Sequence, residues 1–159
     1  MQWKDVVADP NLQGLPFKIE TNEWGQIVMT PARLQHGNYQ SKIDGLLQIK
    51  MSEPGETITE CPIQTRMGTK VADVAWFSFE RWEQVKGGFD SPIAPEICVE
   101  VLSPSNSSGE IDQKMQLYFE RGADEVWICD ADGVMTFYLQ NGAIARSILV
   151  PDFPANILK

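Results

Sequence analysis

Two periodicities divide the chain. Phe17-Lys18-Ile19-Glu20 and Gln26-Ile27-Val28-Met29 read as short strands around a turn at Asn22-Glu23-Trp24-Gly25. Thr30-Pro31 then offers a helix start, with Thr as cap and Pro in the first helical position. From 33 to 51 the pattern is helical, because Tyr39, Ile43, Leu46, Leu47 and Lys50 recur on one side, with His36 beside them. "MSEPGET" ends that helix. Ile58 to Gln64 and Val71 to Phe79 are extended runs joined by a turn at Arg66-Met67-Gly68-Thr69. Residues 80–94 read as a long loop with one helical turn around Phe79–Trp82.

"PEICVEVLSPSN" (95–106) follows as a strand ended by Ser-Pro. The next segment is the best-marked helix in the chain. Ser107 and Glu110 have capping-box spacing, Ile111, Met115, Tyr118 and Phe119 form its stripe, and Gly122 stops it. Asp124–Asp130, Val134–Leu139 and Ile144–Val150 are three further strand candidates, with Asn141-Gly142 as a hairpin signal. The order predicts an α/β (α+β) domain on a mixed sheet, with residues 1–13 as a loose lead-in and 14–159 as one unit.

Acids interrupt this pattern where strands disfavour them. Glu100 shares a strand face with Glu96, Cys98 and Leu102, in a run apolar on both faces. Its burial costs several kcal/mol unless a cation, a metal or a proton compensates. Glu96, just after Pro95, reads more simply as a solvated strand start. Asp73 breaks the run Val71–Phe77 in the same way. Two central acids on successive strands could share one hard cation such as Mg²⁺, and a salt bridge for each is the plainer alternative. Lys114 borders the helical stripe, as a snorkelling surface lysine or as a counter-charge for Glu100. His36, the sole histidine, is a cap, a packed residue or a ligand, and Gln113 and Tyr118 are hydrogen-bonding accessories.

Composition narrows the classes. The 159 residues suit one domain, and no run approaches the length of a membrane span. The first residues lack the shape of a signal peptide, so a cytoplasmic location with no membrane partner is expected. Cys61, Cys98 and Cys129 form no CxxC pair, and Cys98 and Cys129 read as buried thiols. A net charge of −9, with 13 Lys+Arg against 22 Asp+Glu, excludes a broad phosphate-binding surface. Nucleic acid would need local positive charge, a metal or a second subunit. There is no phosphate-binding glycine loop and no nucleophile elbow.

"VADVAW", "PEICVEVLSPS", "KMQLY" and "GADEVWICD" together resemble the putative restriction endonuclease branch of the PD-(D/E)XK nuclease superfamily. "FKIE", "IVMTP" and His36 extend the likeness over most of residues 16–140. The resemblance implies a restriction-endonuclease-like mixed central sheet flanked by helices. It implies Asp73 and Glu100 as metal-binding catalytic acids, Mg²⁺ or Mn²⁺ as cofactor, and Lys114 as the catalytic lysine moved onto the following helix. His36 matches a recurrent first-helix histidine. Two positions depart from the pattern: Ala72 precedes Asp73 where proline is usual, and Leu102 stands where the E-x-K lysine would be.

The function these residues suggest is a metal-dependent DNA endonuclease that hydrolyses phosphodiesters with a metal-bound water. The alternative is a non-catalytic nucleic-acid or protein interaction module on the same fold, or an α+β binding domain whose acids form buried salt bridges. DNA is the partner the first reading implies. A homodimer is also expected, with Trp3, Trp24 and Trp82 as candidate exposed contacts.

Overall fold

A computed structural model of the protein describes residues 2–159, so Met1, the first residue of the expected lead-in, lies outside the described residues. Residues 3–8 of that lead-in are a short helix, α1 (Trp3–Ala8), which buries Val6. A two-stranded hairpin follows, β1 (Phe17–Thr21) and β2 (Ile27–Pro31), and then the long helix α2 (Leu34–Lys50). The main sheet holds β3 (Gly55–Thr65), β4 (Gly68–Ser78), β5 (Ile97–Val101), β6 (Glu125–Cys129), β7 (Met135–Leu139) and β8 (Gly142–Ile144), in that spatial order. Helix α3 (Phe79–Val85) leaves β4, and α4 (Ser108–Glu120) joins β5 to β6.

All neighbours in the main sheet are antiparallel except β5 and β6, which run parallel. A parallel pair needs a crossover, and α4 supplies it. Ser107 starts that helix by accepting from the Glu110 N–H at 3.2 Å, and Gly122 ends it at φ 99°. The expected mixed sheet flanked by helices is present. On one face Tyr39, Ile43 and Leu47 of α2 pack against Val74, Val99 and Trp127. On the other, Val85 of α3 and Ile111 and Tyr118 of α4 pack against Phe77, Cys98 and Ile128. Cys61, Cys98 and Cys129 are buried free thiols, and burial pushes Cys61 and Cys129 up to about 12.

Four local readings change. Thr30 and Pro31 close β2 instead of starting a helix, because they pair with Lys18 and Phe17. Proline is tolerated at such a strand end, and α2 begins three residues later. The helical turn near Phe79 grows to the seven residues of α3, capped by Ser78. Ile144–Val150 is not a strand beyond Ile144; instead Val150, Phe153 and Ile157 fold back over Trp127 and Phe137. Trp127 meets Phe153 in a tilted contact at 4.6 Å and Phe137 edge-to-face at 5.1 Å, so the C-terminal segment serves as a cap on the core. Of the three tryptophans expected at the surface, only Trp24 is exposed; Trp3 and Trp82 are half-buried, and Trp82 leans on Phe77. Among the described residues no helix is long and apolar enough to cross a membrane.

Candidate functional site

Asp73 sits where β4 loses both neighbours. The β3–β4 ladder pairs Thr59 with Val74 and Cys61 with Ala72 but omits the Glu60–Asp73 step between them. Glu60 is in the left-handed region at φ 53°, a strained conformation for a non-glycine residue. The β4–β5 ladder likewise runs from Trp76–Ile97 to Val74–Val99 and stops before Asp73 and Glu100. Ala72 and Val74, two residues apart, belong to opposite cores, so the strand turns over at the acid. The splay frees the Val101 N–H, which donates to Asp73 Oδ2 at 2.7 Å.

The β1–β2 hairpin fills the other side of this opening. It docks on the free edge of β4 through side chains instead of a ladder. The Val71 N–H donates to Glu20 Oε2 at 2.7 Å and the Thr69 N–H to Thr21 Oγ1 at 2.8 Å. Gly68 permits the approach, since a Cβ there would lie 2.5 Å from the Thr21 and Asn22 carbonyl oxygens. Lys18, on the same strand face as Glu20, is thereby aimed at Asp73.

A cluster of charges results. Lys18 Nζ lies 3.0 Å from Asp73 Oδ1 and 3.4 Å from Glu100 Oε2. Lys114 Nζ, reaching in from α4, lies 2.8 Å from Glu20 Oε2 and 3.3 Å from Glu100 Oε1. The Tyr118 hydroxyl donates to Glu100 Oε1 at 2.7 Å, and His36 Nε2 lies 3.3 Å from Asp73 Oδ2. Asp73 and Glu100 are almost wholly buried, while Lys18 and Lys114 keep 13% and 15% of their side chains exposed. The lysines therefore line a cleft of about 250 Å³, whose rim adds Arg33, Glu60, Ser103 and Asn106.

The same neighbours set the protonation states. Burial pushes Asp73 up, but Lys18 and the adjacent His36 outweigh it and hold the carboxyl well below its usual range. At Glu100 burial prevails: the carboxyl is raised, with Lys114 and Lys18 opposing and Asp73 adding to the rise. Burial works against the Lys18 ammonium, yet Glu100 and Asp73 hold it well above its ordinary value. Burial also raises Glu20, but Lys114 and Lys18 bring it below the usual carboxylate value. Burial and then Glu100 raise the Tyr118 phenol, which keeps it a hydrogen-bond donor. The Asp73 carboxylate, 3.3 Å away, raises His36 against the opposing effect of burial. Two neighbouring carboxyls pushed in opposite directions are a common arrangement in acid–base chemistry.

The sequence candidates divide accordingly. Asp73, Glu100, Lys114, His36 and Tyr118 converge, whereas Gln113 is exposed on α4 and does not line the cleft. Leu102 packs into the α4 core and leaves the usual lysine position apolar. Glu96, read as solvated, is buried: it accepts from the Ser78 N–H at 3.0 Å and faces Arg81 at 3.6 Å. Lys18 and Glu20 were missed. Their i, i+2 charges on one strand face were a weak signal, and the "FKIE" likeness marked the segment without giving either residue a role. Among the described residues no three acid, histidine or cysteine side chains form a ready-made metal cage. Two pairs of acids each share one ammonium, Asp73 and Glu100 at Lys18 and Glu20 and Glu100 at Lys114.

A family model described as "Putative restriction endonuclease", Uma2, matches residues 17–153, a span containing every member of this cluster. The chain belongs to the Uma2 family. Its fold is shared with a crystal structure titled as a putative nuclease belonging to DUF820 from Anabaena variabilis ATCC 29413. The two are 16% identical and superpose with a TM-score of 0.76, over 99% of this chain and 96% of that one. No curated protein matches the chain by sequence. The Uma2 match and the shared sheet bear out the expected family and fold.

Proposed function

We propose that this Uma2 protein is a metal-dependent DNA endonuclease centred on Asp73, Glu100 and Lys114. The observation that carries the reading is the shared cation position. A single ammonium touches both buried acids, at 3.0 and 3.4 Å, at the wall of an open cleft. Two hard carboxylates at one cation position suit Mg²⁺ or Mn²⁺, which take oxygen ligands and fill the rest of their shell with water and phosphate. When bound, such an ion supplies a Lewis acid for a phosphodiester oxygen and lowers the pKa of a coordinated water.

The chain's own groups supply the remainder. The Val101 N–H and the Tyr118 hydroxyl fix the orientation of the two carboxylates. Lys114 reaches Glu100 from α4, in place of the lysine absent at Leu102, and presents donors to an attacking water and to charge that develops on the phosphate. Lys18, Arg33, His36 and Lys114 line one cleft together with Glu20, Glu60, Asp73 and Glu100, so a phosphate would be met there by individual cationic donors and the metal and not by a broad positive field. The non-catalytic alternative rests on a different feature. Every buried acid of the cluster already has a cationic partner, as a purely structural network would.

Nicking of supercoiled plasmid decides between them. The wild type should nick with Mg²⁺ or Mn²⁺, lose the activity in EDTA, and lose at least about 100-fold on Asp73→Ala. Equal nicking by the variant places the activity outside this site.

A further inference from the structure

The cation position between Asp73 and Glu100 is filled by the chain itself. Lys18 Nζ contacts Asp73 Oδ1 and Glu100 Oε2, and all three residues line the cleft. Their other oxygens are held elsewhere: Asp73 Oδ2 by the Val101 N–H and His36, and Glu100 Oε1 by Tyr118 and by Lys114, whose ammonium also reaches Oε2 at 3.4 Å. A divalent ion bridging Asp73 Oδ1 and Glu100 Oε2 and the Lys18 ammonium would require the same space. Two cations cannot share it.

From this geometry we infer that Lys18 is the resident cation of the site and sets its metal affinity, because a divalent ion binds only when Lys18 leaves. The inference rests on the metal-dependent reading above. Lys18 is suited to the role by its position. It extends from β1, a hairpin strand outside the main sheet, and its ammonium ends at the cleft on a long, rotatable stem. Lys114 is not equivalent. It is braced between Glu20 and Glu100 and keeps a carboxylate partner, Glu20, when Glu100 turns to a metal. Lys18 has no other acid within ion-pair distance among the described residues.

The arrangement has two energetic consequences. Without metal, the ammonium shields two adjacent buried carboxylates that would otherwise repel. With metal, the site carries a cost, since only the fraction of molecules with Lys18 displaced can bind. Removing the ammonium should therefore weaken the metal-free fold and strengthen metal binding. A purely structural lysine would do only the first.

Mn²⁺ binding by isothermal titration calorimetry, together with thermal unfolding, tests this on the full chain. Lys18→Met keeps the apolar stem and removes the charge. Lys18→Gln is a second variant, neutral but still able to donate to Asp73, in case the first does not fold. Expected is Mn²⁺ affinity at least about tenfold above wild type for a Lys18 variant, as follows if Lys18 vacates the site in under a tenth of molecules. The same variant should melt lower than wild type without metal and gain more from Mn²⁺. Asp73→Asn should abolish the binding. Equal or weaker Mn²⁺ binding by the Lys18 variants, with binding still dependent on Asp73, overturns the inference and leaves the metal-dependent reading standing. No Asp73-dependent binding in any variant overturns that reading and this inference with it.

Discussion

Glu100 and Glu125 lie on neighbouring parallel strands, both almost fully buried, and they do opposite work. Glu125 accepts from Trp127 Nε1 at 2.9 Å and from the Leu149 N–H at 2.8 Å. Both donors are neutral and fixed, one by the core and one by the backbone of the C-terminal cap. Glu100 accepts from a phenol and faces two ammonium groups, each on a long side chain that ends at a cleft. The first carboxylate pins the C-terminal segment to the sheet. The second is held by a phenol and by two ammonium groups on flexible stems. Burial of an acid in a strand is thus no sign of a site; the kind of partner is.

Activity gives the largest test of that contrast. Asp73→Asn and Glu100→Gln should each reduce Mg²⁺-dependent nicking by about 10²–10³-fold or more while the chain stays folded by circular dichroism. Glu125→Gln should retain near wild-type nicking per folded molecule, and so should Gln113→Ala. Loss of nicking with Glu125→Gln, at full folding, would dissolve the distinction.

Stability should reverse the ranking. Glu125→Ala leaves Trp127 Nε1–H and the Leu149 N–H without an acceptor, at about 1–3 kcal/mol for each buried donor. Urea denaturation should show a total loss of about 2–6 kcal/mol, with the C-terminal cap the first segment to lose amide protection. Glu100→Gln should cost less, because Lys18 keeps Asp73, Lys114 keeps Glu20, and the repulsion between Asp73 and Glu100 disappears. A larger loss for Glu100→Gln than for Glu125→Ala would mean that the charge cluster is mainly a structural brace.

The sequence displayed this contrast only in part. Asp73 and Glu100 stood out because they break apolar strands, and Lys114 because it follows Glu100 on a short loop and a capped helix. Their convergence follows from local geometry, adjacent strands and the helix that crosses between them. Lys18 and Glu20 could not be placed in the same way. A hairpin read by alternation does not reveal which surface it docks on, and here docking runs through Glu20 and Thr21 side chains bonded to the backbone of β4. Glu96 and Ile144–Val150 misled for a similar reason. A carboxylate near a strand start is buried when Arg81 packs over it, and an apolar run becomes a cap when Trp127 and Phe137 need cover.

The smallest expected effect isolates a single contact of the cluster. The Asp73 carboxylate, 3.3 Å away, raises the His36 pKa above its ordinary 6.5, with burial and Lys18 opposing and Glu100 assisting. The folded state therefore binds the His36 proton more tightly than the unfolded chain does. Its contribution is fully present below about pH 6.5, the unfolded value, and is lost as pH rises through the folded value. The difference in urea midpoint between wild type and His36→Phe should be widest near pH 5.5 and narrow by about pH 8. A difference that is constant over this range would mean that His36 acts by packing alone. One that widens with pH would mean that Asp73 is engaged so fully by Lys18 and Val101 that it offers the imidazolium nothing. In that case the cluster would resemble the closed site at Glu125 more than an open one.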